Sequence, residues 1–221
     1  MAQVAMGLSS VCAVKRDGTV WCWGNDRLIP GGRSEVPAQT ALTEVASITG
    51  LNGSWWVRSR DGAARVIAND AAFPAGAEVA RNEWGFHACY RLPDATMRCE
   101  GANPSGVLGD GRSSGDLRAR FAAVDPGLCG VQQIATGIDQ SCALLVDGAV
   151  WCWGAGVFSP SSGLLEDCRG ASTTTRCVPR PSRVAIDRVL HIAVGPSRNC
   201  AIRDDHSVWC WSAGDPARVD W

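Results

Sequence analysis

Four times in this 221-residue chain two cysteines flank an aspartate at equal distance, five positions before it and five after. The first instance is VCAVKRDGTVWCWG, Val11 to Gly24, with Cys12 and Cys22 about Asp17. The spacing recurs as Cys89 and Cys99 about Asp94, Cys142 and Cys152 about Asp147, and Cys200 and Cys210 about Asp205. A further copy around Asp61 keeps the turn but holds Trp56 and Val66 at the cysteine places. Each copy reads as a hairpin, because two apolar runs rich in β-branched and aromatic residues meet at a turn. Asp caps its own backbone there, and the Gly that follows in Asp17-Gly18, Asp61-Gly62 and Asp147-Gly148 accepts positive φ. A three-residue loop sets the two cysteines face to face, with Cα atoms about 4.5 Å apart, a span that a disulfide bridges.

Zinc is the rival explanation for paired cysteines. Zinc knuckles bring ligands two to four positions apart, however, and two thiols on an isolated hairpin do not fill a tetrahedron, so disulfides are expected and no metal. Cys168 and Cys177 share the polar insertion EDCRGASTTTRCVPRP and are expected to form a fifth bridge. Cys129 is left over and reads as a small buried apolar residue, the other reading being a partner for another molecule. Cysteine at this density points to an oxidising compartment, hence a secreted or extracytoplasmic mature form whose signal peptide is not in this sequence. A cytosolic protein with reduced thiols is the alternative. The formal net charge of -1 offers no basic stripe for nucleic acid, and no apolar run reaches membrane-spanning length.

A further strand precedes every hairpin: QVAMG, EVASITG, EVARNEWG, VQQIATG and HIAVG. Upstream again, PAQTAL, FAAVDP and PSRVAI read as outer strands, where an edge position tolerates Pro. Four strands per repeat with no helical periodicity describe a propeller blade. The expected fold is therefore all-β, a five-bladed β-propeller of four-stranded antiparallel blades in one domain over residues 1–221, turning at Asp17, Asp61, Asp94, Asp147 and Asp205. The C-terminal segment PARVDW, Pro216 to Trp221, matches PSRVAI, whereas the first repeat has no such strand ahead of it. The sequence thus predicts that the last strand joins the first blade and closes the ring. A fragment of a larger ring is the alternative.

The stretch IATGIDQSCALLVDGAVWCWG, Ile134 to Gly154, resembles the regulator of chromosome condensation repeat in its Cys-rich bacterial form. GANPSGVLGDG, Gly101 to Gly111, resembles that family's connecting segment. The resemblance runs through nearly the whole chain and implies the propeller fold. It implies no single function, since the family includes a nucleotide exchange factor for a small GTPase, a plant ultraviolet sensor and a β-lactamase inhibitor. The five repeats here also depart from the family's usual seven.

Trp21 and Trp23, Trp151 and Trp153, and Trp209 and Trp211 flank the second cysteine of three hairpins, and strand alternation puts each pair on the face opposite the disulfide. In a propeller such faces meet the next blade, so these Trp are expected to be inter-blade core. Blades two and three differ, with Arg65 and Ile67, then Arg98 and Glu100, at those places, and aromatics instead at Trp55, Trp56 and Trp84. A lone buried charge is costly, so these charges either pair or face a cavity. Trp55, Trp56, Trp84, Arg65, Arg98 and Glu100 are accordingly the candidate binding residues; the plain alternative is that two blades diverged and paired their charges. His87, His191 and His206 fall at unrelated places, and each turn Asp has a turn to make, so no catalytic residue and no cofactor is expected. The expected function is non-enzymatic extracytoplasmic recognition of another protein or cell-surface component through rim loops, with Asn25 to Ala41, Arg112 to Arg120 and Ser159 to Arg183 as candidate contacts. A lectin binding glycan is the second reading, and a protein inhibitor of an enzyme the third.

Overall fold

The structure is a computed structural model that describes residues 3–7, 9–26, 28–51, 54–67, 71–74, 77–81, 87–114, 121–155, 166–169, 174–195, 198–212 and 214–220. The chain divides into two compact units, Met1–Ala77 and Glu78–Trp221. The first unit holds two antiparallel sheets. One is β1 (Gln3–Met6), β2 (Ser10–Val14), β3 (Val20–Asn25) and β4 (Arg33–Gln39); the other is β5 (Val45–Leu51), β6 (Ser54–Ser59), β7 (Ala64–Ile67) and β8 (Ala71–Phe73). The second unit holds three. Its first is β9 (Glu78–Ala80), β10 (His87–Arg91), β11 (Met97–Gly101) and β12 (Phe121–Val124). Next come β13 (Val131–Thr136), β14 (Gln140–Leu145) and β15 (Val150–Ala155), extended by β17 (Thr174–Arg183) and then β16 (Glu166–Arg169) at the edge. The last is β18 (Val189–Val194), β19 (Asn199–Arg203), β20 (Val208–Trp211) and β21 (Ala217–Arg218). These five all-β sheets are the blades.

The strand order corrects one expectation. β21, drawn from PARVDW, pairs with β20 of the fifth sheet and not with the first, and the first sheet takes β4 as its outer strand. The outer strands from PAQTAL, FAAVDP and PSRVAI likewise complete the hairpin before them. For β21 the physical reason is loop length: only residues 212–216 separate it from β20, a shorter closure than reaching a sheet at the other end of the chain.

The hairpins follow the expected register. Cys12, Cys89, Cys142 and Cys200 stand directly opposite Cys22, Cys99, Cys152 and Cys210, and all four pairs are disulfides, with Cα atoms 4.0 to 4.1 Å apart. Each turn Asp accepts a hydrogen bond on Oδ1 from the backbone N–H two residues on, at 3.0 Å in every case. The residue after each Asp lies at positive φ. That is Gly in three turns, while Ala95 (φ 62°) and His206 (φ 64°) take the left-handed region without it. The insertion expected as a polar loop is in part a strand pair, β16 with β17, bridged by Cys168 and Cys177. Cys129, expected to be buried, is exposed. It lies in the surface connection 125–130, where Asp125 caps Gly127 and Gly130 turns the chain, so no core reaches it.

Apolar packing within each unit obeys one rule. The disulfide face of a blade, with its following connection, packs on the opposite face of the next blade. In the first unit Cys12, Val14, Val20, Cys22 and Ile29 meet Ile48, Trp55 and Val57. In the second, Cys89, Met97, Cys99 and Leu108 meet Ala143 and Trp153, and Cys142, Leu144, Val150 and Cys152 meet Ile192, Ala201 and Trp211. A side-chain amide seals two of these joints: Gln3 donates to the Ile48 carbonyl and accepts from the Ile48 N–H, and Gln133 does the same with Ile192. Since each bridge closes a short loop, replacing Cys142 and Cys152 together by Ser is expected to lower unfolding free energy by roughly 2 to 3 kcal/mol. Urea denaturation measures it.

Candidate functional site

On β6 the candidates Trp55 and Trp56 point to opposite faces. Trp55 is 1% exposed and its Nε1 donates to Asp26 Oδ2 at 2.7 Å, so it belongs to the joint between the first two blades. It stands six positions before its turn Asp, directly across from Ile67, which occupies the place that Trp23, Trp153 and Trp211 hold elsewhere. The aromatic has crossed to the partner strand and does the same packing. Trp56, at the missing cysteine's place, stacks on Phe73 with ring centroids 5.6 Å apart. Arg65 sits on β7 opposite Val57, and nothing further of its side chain is described. Trp84 lies outside the described residues.

The charged candidates Arg98 and Glu100 share one face of the third blade, since Tyr90 lies opposite Arg98 and Ala88 opposite Glu100. Arg98 Nη1 is 2.9 Å from Asp125 Oδ2 and donates to the Met97 carbonyl. Burial raises the Glu100 pKa, and Arg81 opposes that rise. Tyr90 is raised as well, first by burial and then by Glu100, against the pull of Arg98. The joint of this blade with the fourth carries a polar chain that the sequence did not reveal. His87 Nε2 bonds Ser141 Oγ at 2.9 Å, Ser141 donates to the Val107 carbonyl at 3.0 Å, and Trp153 Nε1 donates to the same carbonyl at 2.7 Å. Val107 and Leu108 come from GANPSGVLGDG, whose residues from Ala102 to Gly109 are all buried. Gly109 (φ 81°) is required there, because a Cβ would lie 2.9 Å from Trp153 Nε1.

The three Trp pairs divide between two environments. Trp153 and Trp211, nearer the end away from the turn, are buried, whereas Trp151 and Trp209 are half-buried. Arg203 lies over the Trp209 ring at 5.5 Å. On the first blade both Trp21 and Trp23 are half-buried, which differs from the expected core. They line an open cavity of about 650 Å³ with Ala13 and Pro37, edged by Lys15, Arg16 and Asp17. Lys15 Nζ stands 4.1 Å from the Trp21 ring centroid, a cation–π contact. Cross-strand rows place Val4 and Ala13 beside Trp21, and Met6 and Val11 beside Trp23. Val4 is 51% and Met6 75% exposed. This face carries two indoles, aliphatic side chains and a charged edge of Lys15, Arg16 and Asp17, and Trp and Arg are among the residues that anchor protein interfaces. Among the described residues no three His, Cys, Asp or Glu side chains gather as metal ligands would.

Comparison with known proteins agrees with this architecture. Residues 1–27 and 131–159 match the model of the regulator of chromosome condensation (RCC1) repeat. Among solved structures, Prp20p from Saccharomyces cerevisiae, studied for its binding to Gsp1p and histones, superposes with a TM-score of 0.66 at 16% identity. That match covers 99% of this chain and 63% of Prp20p. Human WBSCR16 superposes with a TM-score of 0.66 at 14% identity, over 99% of this chain and 67% of that one. The chain thus spans a little under two thirds of the length of Prp20p.

Proposed function

Because this chain is an RCC1-type repeat β-propeller stapled by five disulfides, we propose that it is a non-enzymatic module that binds another protein in an oxidising, extracytoplasmic compartment. The observation that carries the reading is the open face of the first blade. Elsewhere within its unit the matching apolar positions are covered: Ile48, the counterpart of Val4, is 0% exposed. An open apolar face rimmed by the charged Lys15, Arg16 and Asp17 marks an interaction surface. Prp20p offers a precedent for a propeller of this type that binds proteins. The loops first favoured as contacts support the reading less well. In the first of them, Asn25 to Ala41, Asp26 accepts hydrogen bonds from Ser10 and Trp55 within the fold.

The test immobilises the oxidised chain and probes it with extracellular protein fractions and, in parallel, with a glycan array. Trp21→Ala and Lys15→Glu are expected to reduce protein capture about tenfold or more while folding normally, as loss of an interface anchor does. Glycan binding that vanishes in the same variants, with protein capture unchanged, would move the reading to a lectin.

A further inference from the structure

We propose that the joint between the fourth and fifth blades holds a buried water molecule, bound between Trp211 Nε1 and Asn199 Oδ1. Both residues lie inside the second unit, Asn199 at 0% and Trp211 at 4% exposure. Trp211 shares a core cluster with Cys142, Leu144 and Cys152 of the fourth blade, so it faces the joint. Among the described residues neither the indole N–H nor the amide oxygen meets a hydrogen-bond partner, although both atoms are buried. In the unfolded chain both groups bond to solvent, and native proteins pair such groups with protein or with ordered water when they bury them.

The joint between the third and fourth blades shows where a partner atom sits. Ser141 and Trp153 hold in the fourth blade the places of Asn199 and Trp211 in the fifth, six positions before and six after the turn Asp, and each pair stands directly opposed across its hairpin. The polar atoms of Ser141 and Trp153 converge on one oxygen, the Val107 carbonyl, at 3.0 and 2.7 Å. Asp26 Oδ2 likewise gathers the Trp55 indole at 2.7 Å and the Ser10 hydroxyl at 2.8 Å between the first two blades. Both of those oxygens only accept. In the fifth blade an amide replaces the hydroxyl donor, and its orientation is fixed. Asn199 Nδ2 donates to Gln140 Oε1 at 3.1 Å, and Gln140 Nε2 donates to the Gly195 carbonyl at 2.9 Å. A carbonyl cannot donate, so Gly195 sets the direction of both amides and leaves Asn199 with an acceptor to satisfy. The atom shared by this pair must therefore accept from the indole and donate to the amide. A carbonyl or carboxylate cannot do both, an anion is repelled by the amide oxygen and a cation by the indole N–H. A neutral water does both, in a site that supplies two of the two to four polar partners such waters have.

Magnetisation transfer between water and the indole N–H protons, measured by NMR on the oxidised full chain, tests it. Trp211 Nε1–H is expected to cross-relax with water, with opposite signs in the laboratory and rotating frames, the mark of a long-lived bound water as distinct from proton exchange. Trp153 Nε1–H, engaged by the Val107 carbonyl, is expected to show no such transfer and serves as the internal control. Asn199→Leu removes the acceptor, so the Trp211 signal is expected to lose its water contact while the Trp153 resonance keeps its position. Absence of water contact at Trp211 in the wild-type chain overturns the proposal. So does a contact that persists undiminished in Asn199→Leu. Through-bond assignment identifies the two indole resonances, so the wild-type measurement decides the matter even where Asn199→Leu does not fold.

Discussion

Trp153→Ala is expected to lower unfolding free energy by about 3 to 5 kcal/mol, while Trp23→Ala, its counterpart on the first blade, is expected to change it by less than about 1 kcal/mol. The two residues occupy equivalent places six positions after a turn Asp, in the same WCWG sequence. Only their surroundings differ. Trp153 is fully buried against Leu108, Cys89 and Cys99, and its Nε1 shares the Val107 carbonyl with Ser141. Truncation leaves a cavity in a joint that cannot collapse, because the disulfide fixes one wall and the buried 102–109 segment the other. It also removes one of two donors from a buried carbonyl. Trp23 lines an open cavity, where water fills the space that its ring leaves. Urea denaturation of the two variants, fitted with one m-value, measures the difference; equal losses would mean that the first-blade face is covered like the rest.

That contrast also shows what the sequence can and cannot express. The hairpins were legible, since the Asp turn and the cysteine spacing are local and fix the register of every strand pair they touch. Strand membership was not. An outer strand such as PSRVAI lies between two hairpins and carries no mark of which one it joins; it pairs with the hairpin before it, although the next strand is nearer in sequence. The Trp pairs were legible as one face but not as two environments, because burial there depends on what the preceding blade lays over them. At Trp153 that is Val107 and Leu108, from a segment that reads in sequence as a polar, Gly-rich connection. Of the candidate site, Trp55 turned out to be mortar. Its position six before Asp61, opposite the Ile67 that replaces a Trp, was the available signal. The open first-blade face needed the structure, since WCWG is the same string whether covered or bare.

Between pH 7 and pH 4 the wild-type chain is expected to lose about 3 kcal/mol of stability that a His87→Gln variant does not lose. In the unfolded chain the imidazole takes up a proton near pH 6.5. In the folded chain burial, and secondarily Arg81, lower its pKa to about 4. Across that interval the unfolded state binds the extra proton, so stability falls as pH falls, and the loss is complete once both states are protonated below about pH 4. Other groups act elsewhere or in the opposite sense. Asp17 is held below its usual 3.8 chiefly by the Thr19 backbone N–H, and Asp94 and Asp205 by the hydroxyls of Thr96 and Ser207. Their contribution is complete above 3.8 and is lost as pH falls through the lower folded values, beneath the histidine window. Glu100 and Asp139 are raised by burial, so acidification favours their folded forms. Gln at position 87 retains an amide donor for Ser141 Oγ and removes the titration, so the difference between the two urea-midpoint profiles isolates the imidazole. A difference curve that is flat from pH 7 to pH 4 would place His87 in contact with water, and the joint between the third and fourth blades would then be open where the structure closes it.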